Sequence, residues 1–202
     1  STSSGLTAAD TAGAIRRAMG TWDAVKSTNI PLADGGDINA DLGIVQFILS
    51  GGAQGFTLPV ADILHAGFLP QGFFDALEPG AGDFILGVTF SFVFIDENGD
   101  PTDIDHDGKP DVAFREIYYN DGFFWGINAT AYPVFDVQTV ALHEAGHGLS
   151  QNHFGKAFLT VKNGKIHLSP RTVMNAAYSG LQQKLTGTDK AGHSSIWSSW
   201  PN

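Results

Sequence analysis

His143-Glu144-Ala145-Gly146-His147, followed at once by Gly148-Leu149-Ser150-Gln151-Asn152-His153, is the stretch on which the reading of this chain turns. On a helix, residues four apart share a face, so the His143 and His147 imidazoles point at one spot. The helix has a start in Asp136, a good N-cap, carries Val137, Val140, Ala141 and Ala145, and ends near Gly148 or Leu149. Neutral imidazole suits zinc, and three protein ligands leave a fourth position open. Glu144, one residue along, reaches a water there without binding the metal, which marks it as the general base for hydrolysis of a carbonyl compound. The third ligand is narrowed by inspection. Glu78, Glu97, Glu116 and Glu144 are the only glutamates, so no glutamate follows the motif. Two candidates remain: Asp189, the only aspartate after the motif, and His153, which a sharp turn after His147 brings back and which is the stronger of the two.

Bulk properties bound the rest. A chain of 202 residues holds one sizeable core or two small subdomains. Its 43% hydrophobic and 16% charged content is that of a globular protein. No apolar run has the length of a membrane span, and a formal net charge of -10 makes nucleic acid and anionic membranes poor partners. Lysines and arginines look scattered, with no basic patch. Cysteine is absent, which excludes disulfides and thiolate ligands. No signal peptide is visible, and the start at Ser1-Thr2-Ser3-Ser4 reads as a processed or truncated end.

Along the chain, residues 7–27 read as a helix capped by Thr7, with Ile15, Ala18, Met19, Trp22 and Val25 on one face. Strands are expected at 44–49, 61–68 and 84–95, and 112–119 is expected to pair with 123–127 around Asn120-Asp121-Gly122. After the motif, residues up to about 189 read as loop, and a short helix closes the chain. Between the strands lies an acidic stretch in which Asp103, Asp105, Asp107 and Asp111 stand at positions one, three, five and nine, with Gly108 at six and the Lys109 carbonyl at seven. That is the front of a calcium loop, though Phe114 stands at position twelve where a glutamate would complete it. Carboxylates packed so closely repel one another unless a cation neutralises them, so structural calcium is expected, against the plainer reading of a solvated turn.

The HExxHxxxxxH spacing resembles the metzincin clan of zinc proteases, and the likeness is to the matrixin catalytic domain over about residues 12 to 200. Residues 14–22 resemble the first helix, and residues 61–70 the edge strand along which substrate lies. Val173-Met174-Asn175-Ala176-Ala177-Tyr178 resembles the Met-turn, and residues 185–197 the last helix. The resemblance implies His153 as third ligand, Met174 beneath the metal and Tyr178 in the substrate pocket. It implies an α+β fold with a twisted mixed five-stranded sheet, two long helices and a small C-terminal subdomain ending in a helix. Residues 1–202 would form a single catalytic domain, with an upper part over 1–153 and a lower part over 154–202. The implied activity is that of a secreted, monomeric zinc endopeptidase acting on proteins or peptides. The competing readings are a metal-binding interaction module of the same fold and a zinc hydrolase with another substrate. Three positions depart from the pattern. Ser150 replaces the usual glycine of the turn, whose left-handed backbone Asn152 is expected to supply instead. Phe154 stands where matrixins have serine, and His65 lacks the partners of a second, structural zinc. His106, His167 and His193 are expected to be ordinary surface or core histidines.

Overall fold

The computed structural model describes residues 2–38, 43, 45, 61–106 and 108–200. The strand expected at 44–49, apart from Val45, and the ligand expected at Asp107 lie outside the described residues. Helix α1 (Ala8–Asp23) begins at a reciprocal cap in which the Thr7 hydroxyl accepts the Asp10 N–H and the Asp10 carboxylate accepts the Thr7 N–H. Its inner stripe of Thr11, Ala14, Ala18 and Trp22 repeats at spacings of three and four. The small alanines let it pack closely on the motif helix, and the Trp22 indole N–H donates to the Leu142 carbonyl at 2.9 Å. The helix ends at Asp23, short of residue 27, and the Asp23 carboxylate then accepts the Leu32 N–H as the chain turns back.

Three strands form the main described sheet: β1 (Ile63–Leu69), β2 (Gly87–Val93) and β3 (Val112–Asn120). Their order is β1-β3-β2, with β1 parallel and β2 antiparallel to β3. The sheet is mixed as expected, but it has three strands among the described residues where five were expected. Alternation along β3 divides the core. Ile117 and Tyr119 face α1 and the motif helix, whereas Tyr118 packs with Leu69, Phe73 and Phe74 on the other side. Phe73 and Phe74 belong to a short helix, α2 (Gln71–Leu77).

The hairpin expected around Asn120-Asp121-Gly122 does not form. Strand β4 (Phe124–Gly126) pairs in parallel with β5 (Val134–Asp136). The reason is local: the Asn120 side chain accepts the Gly122 N–H and donates to the Gly82 and Ile85 carbonyls, while the Trp125 indole donates to the Asn120 carbonyl. These bonds turn the chain off the sheet before a second strand can register.

Helix α3 (Val137–Gly148) follows β5 directly and carries the motif. The segment expected to be loop contains an antiparallel hairpin, β6 (Lys156–Thr160) with β7 (Lys165–Ser169), turned at Gly164 with φ 66°. Phe158, Leu159, Val161 and Ile166 in it are all more than half exposed. Helix α4 (Gly187–Trp197) closes the described chain behind a second reciprocal cap, Thr186 with Asp189. No described helix is long and apolar enough to cross a membrane.

Candidate metal centre and active site

The Asp136 carboxylate starts α3 by accepting the Thr139 N–H and hydroxyl, each at 2.7 Å. The helix stops because Ser150 enters the left-handed region at φ 65°, letting the Gln151 N–H return to the Gly146 carbonyl at 2.9 Å. The left-handed residue is therefore Ser150 itself and not Asn152. This reversal carries His153 back over the helix. The Nε2 atoms of His143, His147 and His153 then stand 3.1, 3.1 and 3.2 Å apart.

The tautomers follow from the other ring nitrogens. His143 Nδ1 meets the Val173 carbonyl at 2.8 Å, and His147 Nδ1 meets the Gln151 carbonyl at 2.7 Å. A carbonyl only accepts, so each Nδ1 carries the proton and each Nε2 turns a lone pair inward. Lone pairs so close repel unless a cation sits among them. Two nitrogens about 2.05 Å from a tetrahedral ion are about 3.3 Å apart, close to the spacing found. Burial holds His143 down to about 4 and lowers His147 and His153, so all three are neutral at pH 7. Among the described residues, this triad is where three metal-ligating side chains converge. It can hold a metal ion.

Asp189 is not part of this cluster. Its fully buried carboxylate accepts the N–H groups of Val173 and Met174 at 3.1 and 3.2 Å, besides its cap bonds to Thr186. It thereby fixes the backbone whose Val173 carbonyl orients His143. No side-chain pattern advertises that role, because it is played to backbone amides. Met174 is fully buried beneath α3, and a Cβ on Gly146 would collide with its sulfur.

Glu144 is buried, and burial raises its pKa to about 7 against the opposing hydrogen bond from the Thr89 hydroxyl at 2.7 Å. Its side chain lies so near β2 that a Cβ on Gly87 would come within 3.0 Å of it. The strand at the cleft is thus β2, and not residues 61–70, which were expected to lie there. β1 lies across β3 from the motif, whereas Leu86, Gly87, Val88, Thr89 and Ser91 line the cleft beside His143, Glu144 and His147. The cleft has a volume of about 1120 Å³. Tyr178 also lines it; its hydroxyl accepts the Asp136 N–H at 3.2 Å, and its ring meets Phe135 edge-on, so it forms a wall at the start of α3.

The remaining candidates sit elsewhere. His65 is partly buried, with its Nε2 shut off from solvent, and pairs with the Tyr119 hydroxyl at 2.7 Å. His193 is fully buried against Trp22 and meets the Thr28 hydroxyl at 3.2 Å. In the acidic loop, Asp103 accepts the Gly108 N–H at 3.0 Å and Asp111 accepts the Ile104 N–H at 2.8 Å, so both carboxylates fold onto the loop. Asp103 Oδ1 is buried with no hydrogen-bond partner. Asp96 organises a separate turn, accepting from the Asn98 and Asp100 N–H groups. Comparison with protein-family models and with curated proteins finds no match for this chain.

Proposed function

We propose that this chain is a zinc-dependent endopeptidase of the metzincin type. The observation that carries the reading is the convergence of three neutral imidazoles beside a buried carboxylate, on the floor of a cleft edged by a strand whose outer side has no strand partner among the described residues. His143, His147 and His153 would hold the ion, and their chemistry suits zinc with an open fourth position. When bound there, zinc supplies a Lewis acid for the scissile carbonyl and acidifies a water molecule.

The chain's own residues do the rest. Glu144, raised toward neutrality by burial, accepts the water's proton and passes it to the leaving amine. Thr89 fixes the carboxylate by donating to one oxygen. The outer edge of β2 offers backbone groups to an extended peptide, and Tyr178 and Phe135 wall the adjoining pocket. The same reading makes the protein secreted and monomeric and assigns calcium to the 103–111 loop, where the unpartnered Asp103 oxygen would be a ligand. A purely structural metal site has no use for a carboxylate placed as Glu144 is, which weighs against an interaction module.

The test is zinc content together with cleavage of a broad peptide library, for the native chain and for Glu144→Ala. Both should bind zinc and only the native chain should cleave. Zinc binding by both with no peptide cleaved by either removes the proposal. His153→Ala should lose zinc affinity, and unchanged affinity would exclude it as the third ligand.

A further inference from the structure

We infer that Arg115 forms a subsite for a substrate carboxylate, so that the enzyme prefers Glu or Asp on the N-terminal side of the scissile bond; this rests on the endopeptidase reading. Arg115 lies in β3 opposite Ser91 of β2, and its half-buried guanidinium lines the cleft. Its Nε donates to Ser91 Oγ at 3.2 Å and its Nη2 to Ser150 Oγ at 2.6 Å. Both partners are hydroxyls, which orient a guanidinium without neutralising it. Among the described residues no carboxylate forms an ion pair with Arg115, although the chain has 21 acidic residues and 11 basic ones. A planar, fixed, unneutralised fork facing a cleft is suited to bidentate binding of a carboxylate.

The opposite wall agrees. From residue 149 to 188 the chain has no Asp or Glu, but it has Lys156, Lys162, Lys165, Arg171 and Lys184. The portion of the cleft that comes from this segment, including Gln151, Asn152, Thr172 and Asn175, therefore brings no negative charge near Arg115. The acidity of the molecule belongs to the segment before, which holds every Asp and Glu but Asp189.

Position and direction follow from β2. The strand runs from Gly87, against Glu144, to Ser91, against Arg115. A peptide pairing antiparallel to it, the more stable arrangement per residue, has its N-terminal side at Ser91. At about 3.3 Å per residue, the carboxylate lies roughly two to four residues before the scissile bond. Tyr178, by contrast, stands at the start of α3, at the opposite end from Ser150.

The experiment uses N-acetylated, C-amidated peptides, so that every carboxylate is a side chain. Each position before a mapped cleavage site carries Glu, Gln or Lys in turn, and kcat/KM is measured with zinc content checked for each variant. One position should favour Glu over Gln by about tenfold or more. Arg115→Gln should abolish that ratio, Arg115→Lys should keep part of it, and Arg115→Glu should invert it toward Lys. A purely structural role in holding Ser150 cannot invert a preference. If the native chain cleaves the Gln peptides but favours Glu nowhere before the bond, the subsite is wrong and the endopeptidase reading stands. If the ratio survives Arg115→Gln, the subsite is likewise wrong. If no peptide is cleaved at all, both fall together.

Discussion

Ser150 shows how one side chain can keep a backbone that its own type disfavours. A left-handed non-glycine residue costs on the order of 1 kcal/mol, and here the Ser150 hydroxyl offsets it by accepting from Arg115 at 2.6 Å. Ser150→Ala keeps the strain and loses the bond, whereas Ser150→Gly loses both. The glycine variant should therefore be the more stable of the two by about 1 kcal/mol in thermal melts; equal melting temperatures would show that the turn is not strained. His65 supplies a second test at this scale. Burial holds it at about 4, below the roughly 6.5 of an unfolded chain. As pH falls, the unfolded chain takes up this proton first, so the contribution is whole above about 6.5 and lost progressively down to about 4. The loss is on the order of 3 kcal/mol. In His65→Gln, urea melts across that window should show a flatter fall in stability than the native chain, and parallel profiles would sink the assignment.

Among elements, the contact of α3 with the turn beneath it is the most constrained. Gly146 has no room for a Cβ because the Met174 sulfur fills the space. Gly146→Ala should destabilise by about 1–3 kcal/mol through overpacking. Combining it with Met174→Ala should cost less than the sum of the two single changes, and strict additivity in the double-mutant cycle would mean that the two do not touch. Legibility from the sequence also divides by element. Helices α1 and α3 were readable because Thr7 with Asp10, and Asp136 with Thr139, are caps whose partners lie within three residues. The metal triad was readable for the same reason: a helix and one turn place His143, His147 and His153 within ten residues of sequence. The β6–β7 hairpin was not readable, since Phe158, Leu159 and Ile166 face solvent and no buried stripe marks it. Nor was the partner of β4, which depends on Asn120 reaching Gly82 and Ile85 more than thirty residues away. Nor is the strand beside the cleft legible: residues 61–68 are the edge strand expected there, and only sheet order reveals that β2, not β1, adjoins Glu144.

At the scale of the whole molecule, the segment after His153 is fastened to the body by hydrogen bonds spread along its length. The Gln182 N–H donates to the Thr139 hydroxyl at 3.0 Å, the Trp197 indole to the Leu149 carbonyl at 2.9 Å, and His143 to the Val173 carbonyl. Asp189 acts on this set through one peptide group in particular. The amide joining residues 173 and 174 gives its N–H to the Asp189 carboxylate and its carbonyl to the His143 imidazole. A negative charge on one side of that amide draws its dipole into line and makes the far oxygen a stronger acceptor. The last helix thus acts as a remote electronic substituent on one imidazole of the triad, as a ring substituent tunes a distant nitrogen in a small molecule. On the proposed zinc reading, Asp189→Asn should weaken zinc binding by about tenfold in chelator competition. It should also move the His143 Nδ1 proton resonance upfield as its hydrogen bond slackens, and an unmoved resonance would mean that no charge is felt across the amide.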